Sequence, residues 1–153
     1  MSDVTVYLDG APLLLADLAN NSLLRALRNA GCTRLQGACE QGECGSCLIL
    51  IDGVAQNACL VPVSICEGVS VQTVASLLKP ELAQAFMKHG AVQCGFCTPG
   101  FVIAAEEALE ESHSLTEESL RERLAGNICR CTGYQGIVDA ILEVNRLRRD
   151  IGQ

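Results

Sequence analysis

Tryptophan is missing from this chain of 153 residues, and three Phe and two Tyr are its whole aromatic complement. A protein that stacks single-stranded bases needs more rings, and one that tracks phosphates needs a basic stripe. Here 11 Lys and Arg stand against 18 Asp and Glu, a net charge of −7. Nucleic acid is therefore excluded as a partner. No run of eighteen apolar residues occurs, and no apolar stretch behind a basic segment or twin arginine opens the chain, so transmembrane and secretory readings fail and a cytoplasmic location is expected. Histidine is scarce. His89 stands beside Gly90 at an expected helix end, a place that favours an imidazolium, and His113 lies in a polar segment; both read as surface residues without a metal-binding partner. Nucleophile elbow, phosphate loop and dinucleotide fingerprint are also missing, because the glycine-rich stretch is not followed by Lys-Ser/Thr and does not open a helix after a strand. No organic substrate site can be read from the chain.

What the chain has in abundance is cysteine. It carries ten, and eight fall into two compact sets: Cys39, Cys44, Cys47 and Cys59, then Cys94, Cys97, Cys129 and Cys131. The first set reads C-x4-C-x2-C with a fourth cysteine downstream, the plant-type spacing for a [2Fe-2S] cluster. The second joins Cys94-Gly95-Phe96-Cys97 to Cys129-Arg130-Cys131 across a gap of 31 residues, 98 to 128, so the fold must bring its halves together. Thiols this dense in a reducing compartment point to metal over disulfides, and two four-thiolate sites point to electron transfer. Short spacings are expected to put two thiolates on one iron. Gly42, Gly45 and Gly95 let the backbone turn and offer N–H groups to cluster sulfurs, although each also reads as a plain turn residue. All-cysteine zinc sites share the CxxC element and are the competing reading of both sets, but a distant fourth ligand after plant-type spacing departs from the zinc-ribbon pattern. Cys32 and Cys66 belong to neither set and read as ordinary buried thiols. Arg130, between two of the cysteines, either offsets anionic charge or faces solvent.

The hydrophobic pattern divides the chain near Ser76. Before it, period-two segments are expected at Val4–Leu8, Pro12–Leu15, Leu48–Ile51, Val54–Asn57 and Val69–Val74, with hairpin turns at Asp9-Gly10 and Asp52-Gly53. One helix carries Leu23, Leu24, Leu27 and Ala30, capped by Asn20, Asn21 or Ser22 and stopped by Gly31. A mixed sheet crossed by one helix is the β-grasp, plant-ferredoxin-like arrangement. After Ser76 the period becomes 3.6. Pro80 opens a helix that Gly90 ends, Thr98-Pro99 caps and starts a second through Glu111, and a third runs over Thr116–Ala125 with Ser114 and Glu117 as its capping box. A fourth presents Ile137, Ala140, Ile141, Val144 and Leu147 on one face. The fold class is α+β, with a ferredoxin-like domain over 1–76 and a four-helix domain over 77–153. Each long helix follows closely on a cysteine pair, which sets its N–H groups and dipole near an anionic cluster. Hydrophobic residues make up 49% and mean hydropathy is +0.27, which suggests apolar surface covered by partners.

Three strings in order, GACEQGECGSC at 37–47 with Cys59, QCGFCTPG at 93–100 and GNICRCTGYQ at 126–135, resemble the small iron–sulfur subunit of the molybdenum hydroxylases, the xanthine dehydrogenase and aldehyde oxidoreductase family. Nearly the whole chain takes part in the resemblance. Ser46 stands where alanine is common in that family, and no ligand position departs from it. The resemblance implies an outer [2Fe-2S] cluster on Cys39, Cys44, Cys47 and Cys59 and an inner one on Cys94, Cys97, Cys129 and Cys131. It implies that Gln93 contacts a pterin, although the residues alone read it as a helix-end amide. It further implies a large molybdopterin-binding subunit, with the cofactor in the cytosine dinucleotide form, that hydroxylates substrate with oxygen from water or, in one branch, runs a reductive reaction. Electrons then pass to a medium FAD-binding subunit, or in some relatives to a cytochrome. A free-standing two-cluster ferredoxin and a zinc-stapled interaction module are the rival readings, and substrate identity belongs to another chain.

Overall fold

Two Asp-Gly turns set the sheet. The computed structural model describes residues 3–16, 21–111 and 114–151. β1 (Val4–Leu8) and β2 (Ala11–Leu15) pair antiparallel from Val4↔Leu15 to Leu8↔Ala11, and Asp9 and Gly10 take φ of 48° and 87°, the left-handed pair that matches strand twist. β3 (Leu48–Ile51) and β4 (Val54–Asn57) repeat the device around Asp52 and Gly53. β5 (Ser70–Gln72) lies between the hairpins, parallel to β1 and antiparallel to β3, which gives the order β2-β1-β5-β3-β4. Helix α1 (Leu23–Asn29) is capped by Ser22 and buries Leu23, Leu24, Ala26 and Leu27 in a core with Val6, Leu15, Ile49 and Val71. Each such side chain removed from water contributes roughly 1.5–3 kcal/mol.

Beyond the sheet a second core forms. The short helix α2 (Val74–Leu77), capped by Thr73, leads into α3 (Pro80–Lys88), α4 (Thr98–Glu111), α5 (Glu117–Leu124) and α6 (Gln135–Ile151). From Phe101 to Leu109 α4 is buried nearly all round, with Phe101, Val102, Ile103, Ala104, Ala105, Ala108 and Leu109 in the core, as befits a helix enclosed by its neighbours. It packs on α5 and α6 and also on β3 and β4, where Glu107 Oε1 accepts from Ala55 N at 3.0 Å. The unpaired side of edge strand β4 thus meets a helix. Glu106 is 1% exposed, and Arg148 Nη2 reaches its two carboxylate oxygens at 3.0 and 2.9 Å while also bonding Glu81 Oε1 at 3.0 Å. That ion pair ties α3, α4 and α6 together.

Several expectations shift. The last strand is three residues long because Thr73 turns its side chain to cap α2, so Val74 is helical. Thr98 is the first helical residue of α4 instead of its cap. The capping box of α5 is Thr116 with Ser119, not Ser114 with Glu117: the helix starts at Glu117, so Thr116 is the residue whose side chain can reach the third N–H. Leu147 is exposed, because Val144 and Arg148 on either side of it turn inward and leave Leu147 on the outer face of α6. Asn20 and His113 lie outside the described residues. His89 caps the end of α3, and its Nε2 lies 2.7 Å from Glu143 Oε2.

Candidate metal centres

The first thiol set hangs between α1 and β3, with Cys59 just past β4. Asn57 Nδ2 donates to Gly42 O at 3.2 Å and so holds the loop against β4. Gly42 and Gly45 take φ of 84° and 69°, and the resulting turn aims backbone N–H groups of Gln41, Glu43 and Cys44 at Cys39 Sγ. Those bonds, led by Gln41 N, bring the Cys39 thiol down to about 6, so the group is readily a thiolate. Cys47 behaves in the opposite way. Burial, reinforced by the neighbouring Cys59 and Cys44, pushes it up to about 12.

The second set forms where two loops run antiparallel ahead of α4 and α6. Cys94 faces Cys131, with Sγ atoms 3.7 Å apart, and Cys97 hydrogen-bonds Cys129. These close pairs therefore span the 31-residue gap, because opposed loops present their sulfurs to each other. Gln93 Nε2 donates to Cys131 O at 3.0 Å and crosses the same gap. Cys97 is pushed up to about 12 by burial and by Cys129 beside it; Cys129 itself lies at about 7, since Thr132 hydrogen bonds outweigh its burial. A cavity of about 220 Å³ lies among these four thiols, with Cys44 and Phe96 on its wall.

The two loops touch each other directly. Ile128 N donates to Cys44 O at 3.0 Å, and the buried amide of Asn127 donates to Gly45 O at 3.3 Å. A Cβ on Gly100 would strike the Gly45 carbonyl, so the backbones can meet only without a side chain there. Asn127, Thr132 and Tyr134 are site residues that spacing arguments passed over. The available signal was Asn127 just ahead of Ile128-Cys129 and the polar stretch Thr132-Gly133-Tyr134-Gln135 directly after Cys131. Cys32 and Cys66 are buried in the first core; Cys66 Sγ donates to Pro62 O at 3.4 Å.

A family model described as "[2Fe-2S] binding domain" matches residues 66–142. The nicotine 6-hydroxylase small subunit of Paenarthrobacter nicotinovorans is 44% identical over 146 residues, 92% of this chain and 88% of that one. The xanthine dehydrogenase iron-sulfur-binding subunit of Escherichia coli O157:H7 is 38% identical over 92% of each chain. The chain belongs to the small iron–sulfur subunits of the molybdenum hydroxylase family. A crystal structure of quinoline 2-oxidoreductase from Pseudomonas putida 86 superposes with a TM-score of 0.90 at 38% identity, covering 97% of this chain and 96% of that chain. As a member of that family the chain is an oxidoreductase subunit with an iron–sulfur cofactor.

The residues of this iron–sulfur subunit fit such a cofactor. Two thiols, the buried Cys47 and the half-buried Cys97, resist deprotonation beside other thiols, and a cation among them removes that penalty. The sulfurs lie in pairs, and among the described residues no three Cys, His, Asp or Glu side chains converge to hold a single ion. Two sulfurs 3.7 Å apart can share one metal ion, so two such pairs can give two irons two thiolates each. Also among the described residues, no helix is long and apolar enough to cross a membrane.

Proposed function

We propose that this chain holds two [2Fe-2S] clusters and relays electrons between a large molybdopterin-binding subunit and a medium FAD-binding subunit. The ligands are Cys39, Cys44, Cys47 and Cys59 for one cluster, and Cys94, Cys97, Cys129 and Cys131 for the other. Each cluster supplies a one-electron carrier. The observation that carries the reading is the direct contact of the two thiol loops, closed by Ile128 N to Cys44 O at 3.0 Å, which supports electron passage from one proposed ligand set to the other. The protein's own residues fix that geometry: Asn57 holds the first loop, Asn127 joins the two, and Gln93 ties Cys94 to Cys131.

The division into a β-grasp domain over 1–76 and a four-helix domain over 77–153 is supported by two separate apolar cores, one built on the sheet and one on α3–α6. Val92, Phe96 and Ile128 stand exposed around the second set and suit a face closed by the large subunit, where Gln93 can meet the pterin. The cofactor there is the cytosine dinucleotide form, and the assembly is cytoplasmic.

Metal analysis should return about four irons per chain, and reduction should give two distinct paramagnetic signals. Cys44→Ser should perturb one signal and Cys97→Ser the other, while the native chain should copurify with much larger subunits. Zinc in place of iron, or one signal affected by both variants, would sink the two-cluster reading. A chain that carries two clusters yet runs alone would instead be a free-standing carrier.

A further inference from the structure

Within the second thiol set, Thr132 is a side chain other than cysteine that bonds a sulfur directly. Its Oγ1 donates to Cys129 Sγ at 3.1 Å, and its backbone N faces the same sulfur at 3.5 Å. Neighbouring groups set where the hydroxyl hydrogen points. Tyr134 N donates to Thr132 Oγ1 at 3.2 Å and occupies the acceptor side of that oxygen, which leaves its hydrogen for sulfur. Tyr134 is locked in turn: its hydroxyl accepts from Cys129 N at 3.0 Å, and its ring meets Phe101 edge-on with centroids 6.2 Å apart. To close this ring of bonds, Gly133 and Tyr134 adopt φ of 66° and 70°. Glycine takes that conformation freely, whereas tyrosine is strained there and stays only because its surroundings hold it. Cys129 is 7% exposed, so the O–H···S bond is shielded from water, where polarised hydrogen bonds act more strongly.

Building on the ligand set proposed above, we propose that Thr132 is a positioning residue that raises the reduction potential of the cluster on Cys94, Cys97, Cys129 and Cys131. The positive end of a hydroxyl dipole aimed at a ligand sulfur favours the state with more negative charge on the sulfurs. That is the state after one electron has arrived from the upstream donor, with no bond made or broken. The strained Gly133-Tyr134 turn keeps the dipole aimed through both states. Pairs of exposed thiols such as Cys94 and Cys131 lack this shielding.

The test is a redox titration of the full chain in the complex it purifies with, following each paramagnetic signal separately. Thr132→Val keeps shape and removes the hydroxyl, and its cluster should lose electron occupancy on the order of tenfold at fixed potential, about 59 mV for a one-electron couple. The signal assigned through Cys44→Ser should not move, and Thr132→Ser should return the potential to its native value. An unchanged potential in Thr132→Val, or a Thr132→Ser chain as low as the valine chain, overturns the role of Thr132 alone. A native chain without two iron signals overturns the ligand assignment and Thr132 with it. If Thr132→Val fails to take up its cluster, Thr132→Ala is read the same way, and failure of both overturns potential tuning in favour of a purely structural bond.

Discussion

Asp9 shows how much one side chain can organise here. Its φ of 48° closes the first hairpin, while its carboxylate accepts from Thr73 N, Thr73 Oγ1 and Ser76 Oγ, each at 2.7 Å, and from Arg34 Nη1 at 2.9 Å. The turn between β1 and β2 is thereby tied to the start of α2, where sheet gives way to helices. Burial pushes the Asp9 carboxyl up, but the bonds from Ser76 and Thr73 and the Arg34 charge hold it below its usual 3.8. A depressed folded-state value means stability that is complete above the unfolded value, about 3.9, and lost as pH falls through the folded one. Asn tolerates the left-handed turn, so Asp9→Asn removes charge without a backbone penalty. It should cost about 1.5–3 kcal/mol at neutral pH. Denaturant titrations from neutral pH down to about pH 2 should show the gap between native and variant close below about pH 4; a gap that persists at the acid end would mean the carboxylate charge is not what joins hairpin to helix.

Helices and strands were legible wherever one period ran unopposed. The two Asp-Gly hairpins, α1, the start of α3 at Pro80 and the apolar face of α6 from Ile137 to Val144 could be read directly, since turn chemistry and burial agree there, whereas Leu147 stands exposed. Boundaries were legible only to within a residue or two, because Thr73, Thr98, Thr116 and Ser114 all offer plausible caps and the choice among them depends on tertiary packing. The ligand sets could be listed from spacing, but not the way sulfurs pair across the loop gap, nor the bonds of Asn127 and Thr132, which exist only once two loops meet. Nor does any sequence period announce the buried ion pair of α4. Glu106 sits among apolar neighbours at 1% exposure with Arg148 as its close partner and Lys79 Nζ at 3.5 Å. Arg148→Met leaves that carboxylate with the half-exposed Lys79 in place of its close partner and should cost up to about 3 kcal/mol, whereas Glu106→Leu combined with Arg148→Met should recover most of the loss. Denaturant midpoints of the two variants and the native protein measure this, and a double variant no more stable than Arg148→Met would show that α4 needs the ion pair itself and not merely a neutral packing partner.

At the scale of the whole molecule, the two thiol loops lie at the junction of two cores. The helical core is apolar and extensive, so α4 and α6 do not need metal to find each other; Phe101, Ile137 and Ile141 already pack there. Their first turns are another matter. They follow Cys94/Cys97 and Cys129/Cys131, whose clustered sulfurs repel once ionised; among the described residues the links across the gap include the thiol–thiol contacts, the amide of Gln93 and the edge contact of Phe101 with Tyr134. Metal binding at such a site is folding energy delivered to the loops it joins. Native-state hydrogen exchange on protein stripped of iron should therefore show the loops 93–98 and 126–135 and the first turns of α4 and α6 exchanging on the order of 100-fold faster, about 2.8 kcal/mol of lost local stability. The middle of α4, around Ala104–Ala108, should change far less, and the contact between Cys44 O and Ile128 N should carry part of the loosening into the first loop. Equal protection with and without iron would show that packing alone holds the loops, and uniform loss over 80–150 would show that the helical half folds only around its metal.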